Sequence, residues 1–419
     1  MKLLWITNIL FPEAQLSLTH QGDLKASGGW MIGASNSIMS FDNIKLTIAT
    51  VSPLVRELKR VIGEKILYYI IPICGGNKHP NSKYEPYWKK IYNEVSPDIV
   101  HIFGTEFSHG LAYMNACGSN NVVISIQGLT SSCSYYYHYG MSKSDIYHNL
   151  TLRDIIKGSI IRGQKQFNRR AKYEIDMLRM AQYVIGRTSW DKSHIWAINP
   201  KLQYFFCNEI LRDEFYKGDR WNYDRCLKHS IFVSQAGYPL KGLHQLIKAM
   251  PLIIRHYPDT VIRIAGADIS KTATLKDKLY LSGYGKYLNK LIAKFNLKNK
   301  VTFTGSLNAE EMKQEYLRAN VFVCPSSIEN SPNSLGEAQI LGTPCIASYV
   351  GGAMDMMDGN EENLYRFEEI EMLANKVCNI FKSAEKQTDM RLTAAKRHNP
   401  QINGKQLYDI YQTIMVNNK

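Results

Sequence analysis

Short apolar runs rich in β-branched and aromatic residues alternate with longer helix-patterned stretches along the whole chain, and this alternation constrains the fold more than any other feature. Neighbouring parallel strands need a crossover of a dozen or more residues between them, usually a helix, and that is the spacing observed. In the first half the predicted strands are KLLWI near the start, then 44–50, 65–72, 98–103, 121–126 and 182–186. A second series follows at 229–234, 260–266, 300–305, 320–325 and 343–348. Helices fill the intervals, the longest near 151–180. The stretch after Phe206 is polar and aromatic, which places the domain boundary near residue 211. The expected fold class is therefore α/β, with two doubly wound, Rossmann-like domains facing across a cleft. Open parallel sheets bind ligands beyond the carboxyl ends of their strands, so two of them can grip one ligand.

Composition narrows the functional classes. At 419 residues there is room for two or three domains with their own cores. Hydrophobic residues at 45% and charged residues at 21% exclude both a disordered chain and a multi-span membrane protein. A net charge of +14 attracts phosphates, acidic lipid surfaces or nucleic acid without choosing among them. The eight cysteines stand singly, with no CxxC pair and no zinc-type spacing, which suits a reducing cytoplasm. MKLLWITNILFPE carries Thr7, Asn8, Pro12 and Glu13 and reads as a buried first strand rather than a signal sequence. No run approaches the roughly 20 apolar residues that span a bilayer, so membrane contact is expected to be peripheral. The basic segment 143–179, with Ile155, Ile156, Ile160 and Ile161 interleaved, reads in two ways. It is either a solvated helix whose apolar residues face its own domain, or a surface that lies on an anionic membrane.

The most informative stretch is PSSIENSPNSLGEAQILGTPCIASYVGG, residues 325–352. It follows a predicted strand and opens a helix, with Pro332 in the first turn and Asn330 or Ser331 as the cap. Backbone amides and the positive end of the helix dipole would then meet phosphate or sugar hydroxyls. Glu329 precedes the helix and Glu337 lies within it, so two carboxylates can reach separate parts of one polyhydroxylated ligand. Either Glu taken alone is an ordinary surface residue.

With its flanks, the string resembles the E-x7-E signature of family 4 retaining glycosyltransferases: Glu329, seven residues, Glu337, then Gly342, Pro344, Ala347, Ser348, Gly351 and Gly352. YPLKGLHQLIKAM (238–250) is similar to the K-G segment of that family, and ITNILFPE with Gly28, Gly29 and Trp30 resembles its first strand and glycine loop. GRTSWDKSHIWAINP and CNEILRDEFY resemble a bacterial branch that builds capsules and exopolysaccharides. The resemblance implies a GT-B fold with an acceptor-side domain at 1–211, a nucleotide-sugar domain at 212–396 and a helix at 397–419 returning to the first domain. It implies Lys241 and Glu329 as catalytic, and Gly28, Gly29, Arg187, Lys241, Glu329, Asn333, Ser334, Leu335 and Glu337 as donor-binding. Glu337 would take the ribose hydroxyls and Glu329 a hydroxyl of the transferred sugar. Gln127, His109 and Glu106 are expected on the acceptor side.

The implied activity is metal-independent, retaining transfer from a UDP- or GDP-linked sugar to a lipid-linked saccharide, with no cofactor and no metal site. The protein would work in the cytoplasm, peripherally on the inner face of the plasma membrane. Two positions depart from the family pattern. The Arg usually found before the Lys is replaced by Gln235 and Ala236, with Arg187 as the candidate substitute, and the usual His after the fifth strand is replaced by Gln127. Rival readings are a nucleotide-sugar epimerase or phosphorylase on the same fold, or a noncatalytic nucleic-acid binder. The last lacks any recognisable aromatic RNA-binding or helix-turn-helix pattern, so no nucleic acid is expected as a partner.

Overall fold

The computed structural model describes residues 1–19, 29–74, 82–383 and 390–418. They form two Rossmann-like units, each built on its own sheet. One comprises Met1–Ser131, Asn168–Arg212 and His398–Lys419, and the other Ser132–Phe167 and Asp213–Arg397.

The N-terminal unit contains β1 (Lys2–Thr7), β2 (Lys45–Ser52), β3 (Lys59–Ile62), β4 (Leu67–Pro72), β5 (Ile99–Phe103), β6 (Val122–Ser125), β7 (Tyr183–Gly186) and β8 (Gln203–Phe206). Their order is β3-β4-β2-β1-β5-β6-β7-β8, parallel throughout except for the β3–β4 pair. Alternation along β1 sends Leu3 and Trp5 to one core and Leu4 and Ile6 to another, so both faces are covered, as a parallel sheet requires. The helix Pro400–Asn417 supplies Leu407, Ile410, Tyr411 and Ile414 to the Trp5 side, where the Trp5 indole donates to the Tyr411 hydroxyl at 3.1 Å.

The C-terminal unit contains β9 (Leu227–Val233), β10 (Val261–Ile264), β11 (Val301–Phe303), β12 (Ala319–Cys324), β13 (Cys345–Ser348) and β14 (Leu364–Tyr365), ordered β11-β10-β9-β12-β13-β14 and wholly parallel. The helix Leu243–His256 lays Leu243, Leu246, Ile247 and Met250 on one face of the sheet. On the other face Tyr316 packs edge-on against Phe232 and Phe322.

Two expectations need correction. Residues 132–167 belong with the C-terminal unit rather than with 1–211, because Met141, Ile146 and Ile160 are buried in that unit's core. The long helix near 151–180 is broken at Gly158, whose φ of 106° lies outside helical space, into Leu152–Lys157 and Ile160–Met180. The basic segment 143–179 is thus divided between the two units, and its isoleucines part company. Ile160 and Ile161 pack into the C-terminal core, whereas Ile155 and Ile156 stand in solvent. Among the described residues no helix is long and apolar enough to cross a membrane.

Candidate functional site

In an open parallel sheet the crevice for a ligand forms where strand order reverses, because the loops leaving those two strands splay to opposite faces. In the C-terminal sheet that point lies between β9 and β12. The loop after β9 carries Lys241, and the loop after β12 carries Glu329. Lys241 Nζ donates to Glu329 Oε1 at 2.6 Å, and Ser326 Oγ donates to the same oxygen at 2.7 Å. The two charged side chains are largely but not fully buried, at 17% and 15% exposure. Burial works against the Lys241 ammonium, but the Glu329 carboxylate outweighs it and holds the lysine above its ordinary value, fully charged at neutral pH.

Backbone packing explains the glycines around this pair. Gly242 has a φ of 71°, and a Cβ on it would lie 1.6 Å from the Pro325 carbonyl oxygen. A Cβ on Gly351 would lie 1.9 Å from the Glu329 carbonyl oxygen, which accepts from Gly352 N at 3.0 Å. Ser327 N donates to the Leu240 carbonyl at 2.8 Å, and its hydroxyl donates to the Tyr136 carbonyl at 2.7 Å. Both loops are therefore clamped at the main chain, and the ion pair is held in a fixed place.

The helix after Glu329 runs Asn333–Leu341. Pro332 is its N-cap rather than a first-turn residue, so neither Asn330 nor Ser331 holds the N-cap position. Proline has no side-chain oxygen to offer, so the N-cap residue itself makes no side-chain cap hydrogen bond at the positive dipole end of this helix. Leu335 is fully buried and contributes its backbone only, its N–H donating to the Pro332 carbonyl at 2.9 Å. Glu337 is buried, 4% exposed, with the Tyr316 hydroxyl 3.4 Å from its Oε2. Where the family has its Arg, Gln235 is exposed and Ala236 is buried, and neither carries charge.

The N-terminal sheet reverses between β1 and β5. Asn8 follows β1 and Glu106 follows β5, and Asn8 Nδ2 donates to Glu106 Oε2 and to the Phe103 carbonyl, both at 3.0 Å. Burial pushes the Glu106 carboxyl up to about 7; the nearby Glu174 adds to the rise, while Arg170 and hydrogen bonds oppose it. His109, in the helix Ser108–Cys117, is buried and pushed down to about 4 by desolvation, against a hydrogen bond with the Thr7 backbone. Gln127 follows β6. His101 is a core residue, 2.6 Å from both the Tyr411 and the Ser125 hydroxyls. Gly29 opens the helix Gly29–Ile38, while Gly28 lies outside the described residues.

Arg187, the candidate substitute for the family's Arg, is held within the N-terminal unit. Its guanidinium pairs with Glu209 inside the N-terminal unit and donates to the carbonyls of Ile126 at 2.7 Å and Gln127 at 2.9 Å. Its charge is already met, with both side chains under a tenth exposed. Sequence reasoning also passed over Ser326, Ser327 and Asn8. Each stands directly beyond the end of a strand on one side of a switch point, and that position is the signal that could have found them.

Residues 227–397 match the family described as glycosyl transferases group 1. An uncharacterized glycosyltransferase of Methanocaldococcus jannaschii is 34% identical over 131 residues, covering 31% of this chain and 29% of that one. The chain aligns with only about a third of the length of its first curated relatives, 29% and 38%. Sucrose-phosphate synthase from Thermosynechococcus elongatus has a similar fold, with a TM-score of 0.71 and 16% identity over 99% of both chains. The HepE protein of Anabaena, solved in complex with UDP and glucose, gives 0.64 and 14% identity over 98% of this chain and 99% of that one. The fold, two Rossmann-like domains, is of the GT-B type.

Proposed function

We propose that the protein is a metal-independent, retaining glycosyltransferase that takes its sugar from a nucleotide-diphosphate donor. The observation that carries this reading is the Lys241–Glu329–Ser326 cluster at the C-terminal switch point, followed directly by the N-terminus of the helix Asn333–Leu341. Lys241 would meet the diphosphate and the charge that develops on it as the sugar departs, a task suited to a fixed, partly desolvated cation. The amides of Asn333 and Ser334 would face phosphate or sugar, Glu329 a sugar hydroxyl, and Glu337 the ribose hydroxyls. The leaving phosphate would accept the acceptor's proton on the same face of the sugar, so that no enzymic nucleophile is needed.

The acceptor in this reading is a lipid-linked saccharide of surface-polysaccharide synthesis, met by Glu106, His109 and Gln127 at the inner face of the plasma membrane. Glu106, poised near 7, can accept or donate a hydrogen bond to a hydroxyl near neutral pH. The UDP-bound HepE structure makes UDP sugars the first donors to try.

The test is a panel of UDP- and GDP-sugars scored by rise in melting temperature, then by transfer to a lipid-linked acceptor, with and without excess EDTA. One donor should stabilise the protein and support transfer in both conditions. Loss of transfer in EDTA with rescue by magnesium overturns metal independence. Release of a free sugar isomer or sugar phosphate without acceptor overturns transfer itself.

A further inference from the structure

Two short helices of the C-terminal unit, far apart in sequence, are built alike. Leu152–Lys157 and Leu275–Tyr280 each begin with a Thr N-cap closed by an Asp at the third position, Thr151 with Asp154 and Thr274 with Asp277. The caps draw both carboxylates to the helix ends. What remains outward is bulky and apolar: Leu152, Ile155 and Ile156 on one helix, Leu275, Leu279 and Tyr280 on the other, all between 58% and 80% exposed.

The two helices lie together. Asp154 Oδ2 accepts from Gly283 N at 2.9 Å, just beyond the second helix, and Lys157 Nζ sits 4.6 Å above the Tyr280 ring. Soluble proteins scatter such residues singly, whereas a contiguous group marks a contact surface. Here the group is interleaved with Arg153, Lys157, Lys276 and Lys278. Of the two acids within these helices, Asp154 is buried and Asp277 is held by its cap and approached by Lys271 at 3.9 Å. Aliphatic tips at two adjacent helix turns, a tyrosine and a ring of long cations match the headgroup–acyl boundary of an anionic bilayer, where lysine stems snorkel and their charges meet lipid phosphates.

We propose that these two helices form a membrane foot on the C-terminal unit, inserting Ile155, Ile156 and Leu279 among anionic lipids. The inference deepens the peripheral-membrane part of the proposed function and rests on it for its purpose. It also relocates that contact: of the basic segment 143–179 only the portion up to Lys157 takes part, and the partner helix comes from a stretch that had suggested no membrane role.

The experiment is co-sedimentation of the full chain with vesicles of phosphatidylcholine alone or mixed with phosphatidylglycerol, comparing wild type with the combined Ile155→Ser, Ile156→Ser and Leu279→Ser variant. Wild type should bind only the anionic vesicles, and less so in high salt. The variant should bind at least about tenfold more weakly, as expected when apolar burial is lost, with unchanged melting temperature and an unchanged donor-induced thermal shift. Equal binding by variant and wild type overturns the foot, as does a wild type that binds neither vesicle. A dimer in analytical ultracentrifugation that the variant dissolves, without vesicle binding, overturns it in favour of a second copy of this chain. The donor panel is read without vesicles, so failure of the foot and failure of glycosyl transfer are separate results.

Discussion

The two sheets reverse their strand order in the same way but equip the reversal differently. In the C-terminal unit the loops after β9 and β12 bring a full ion pair, Lys241 with Glu329, to the switch point. In the N-terminal unit the loops after β1 and β5 bring a carboxyl group hydrogen-bonded to an amide, Glu106 with Asn8. That unit does bury an ion pair, Arg187 with Glu209, but at the end of β7 and in the run leaving β8, away from the reversal. The same fold thus places one ion pair at the point where a ligand crevice forms and the other away from it. Exposure separates them: 17% and 15% at Lys241 and Glu329, against 5% and 8% at Arg187 and Glu209.

The sharpest break of this comparison is Arg187→Ala. It removes the guanidinium that Glu209 pairs with inside the unit and strips two carbonyls, Ile126 and Gln127, of a donor. Removing one partner of a buried pair costs about 3 to 5 kcal/mol, to be read from urea unfolding, with donor-induced stabilisation preserved in whatever folded protein remains. A loss below about 1 kcal/mol, the range of exposed pairs, would place Arg187 among the functional cations after all.

The converse break is Lys241→Ala, with Glu337→Ala beside it. Losing a charge-assisted contact to the leaving diphosphate is worth about 1.5 to 3 kcal/mol, so transfer should fall about ten- to hundredfold. The cost in stability should be smaller than for Arg187→Ala, since solvent reaches both Lys241 and Glu329. Turnover that is unchanged at saturating and at limiting donor would sink the assignment.

These contrasts show what the sequence could and could not display. Buried parallel strands such as β1, β5 and β12 are continuous apolar runs and stand out from their surroundings. β3 and β8 do not, because KRVI is an exposed antiparallel edge and QYFF is at most half-buried. The tyrosines and isoleucines of 132–167 look the same whichever sheet they cover, so only the folded chain assigns them to the C-terminal core. At the site the spacing from Glu329 to Glu337 and the glycines at 242 and 351 were legible, since backbone clashes forbid any other residue there. The surroundings of Arg187 were not legible, for a physical reason. A strand-end arginine has the same sequence signature whether its partner is a ligand or Glu209, which is far along the chain until β7 and β8 pair.

The smallest expected effect sharpens the comparison at Glu106. Its folded pKa of about 7 lies above the ordinary 4.5, so folding favours the protonated form. Below pH 4.5 both states carry the proton and the group contributes nothing. Between 4.5 and 7 the unfolded chain ionises while the folded one holds its proton, so stability falls as pH rises; above 7 the cost is constant. At 1.36 kcal/mol per unit, reduced because the side chain is only partly buried, the full cost is about 1 to 2 kcal/mol. His109, with its folded value near 4, tilts the other way between 4 and 6.5, because there the unfolded chain binds the extra proton. Comparing wild type with Glu106→Gln cancels the histidine and leaves the carboxyl alone, while the amide oxygen can still accept from Asn8. The variant should melt with wild type at pH 4 and above it at pH 8. A difference that stays constant across that range would mean that folding does not raise the Glu106 pKa, and the contrast between the two halves would lose its electrostatic basis.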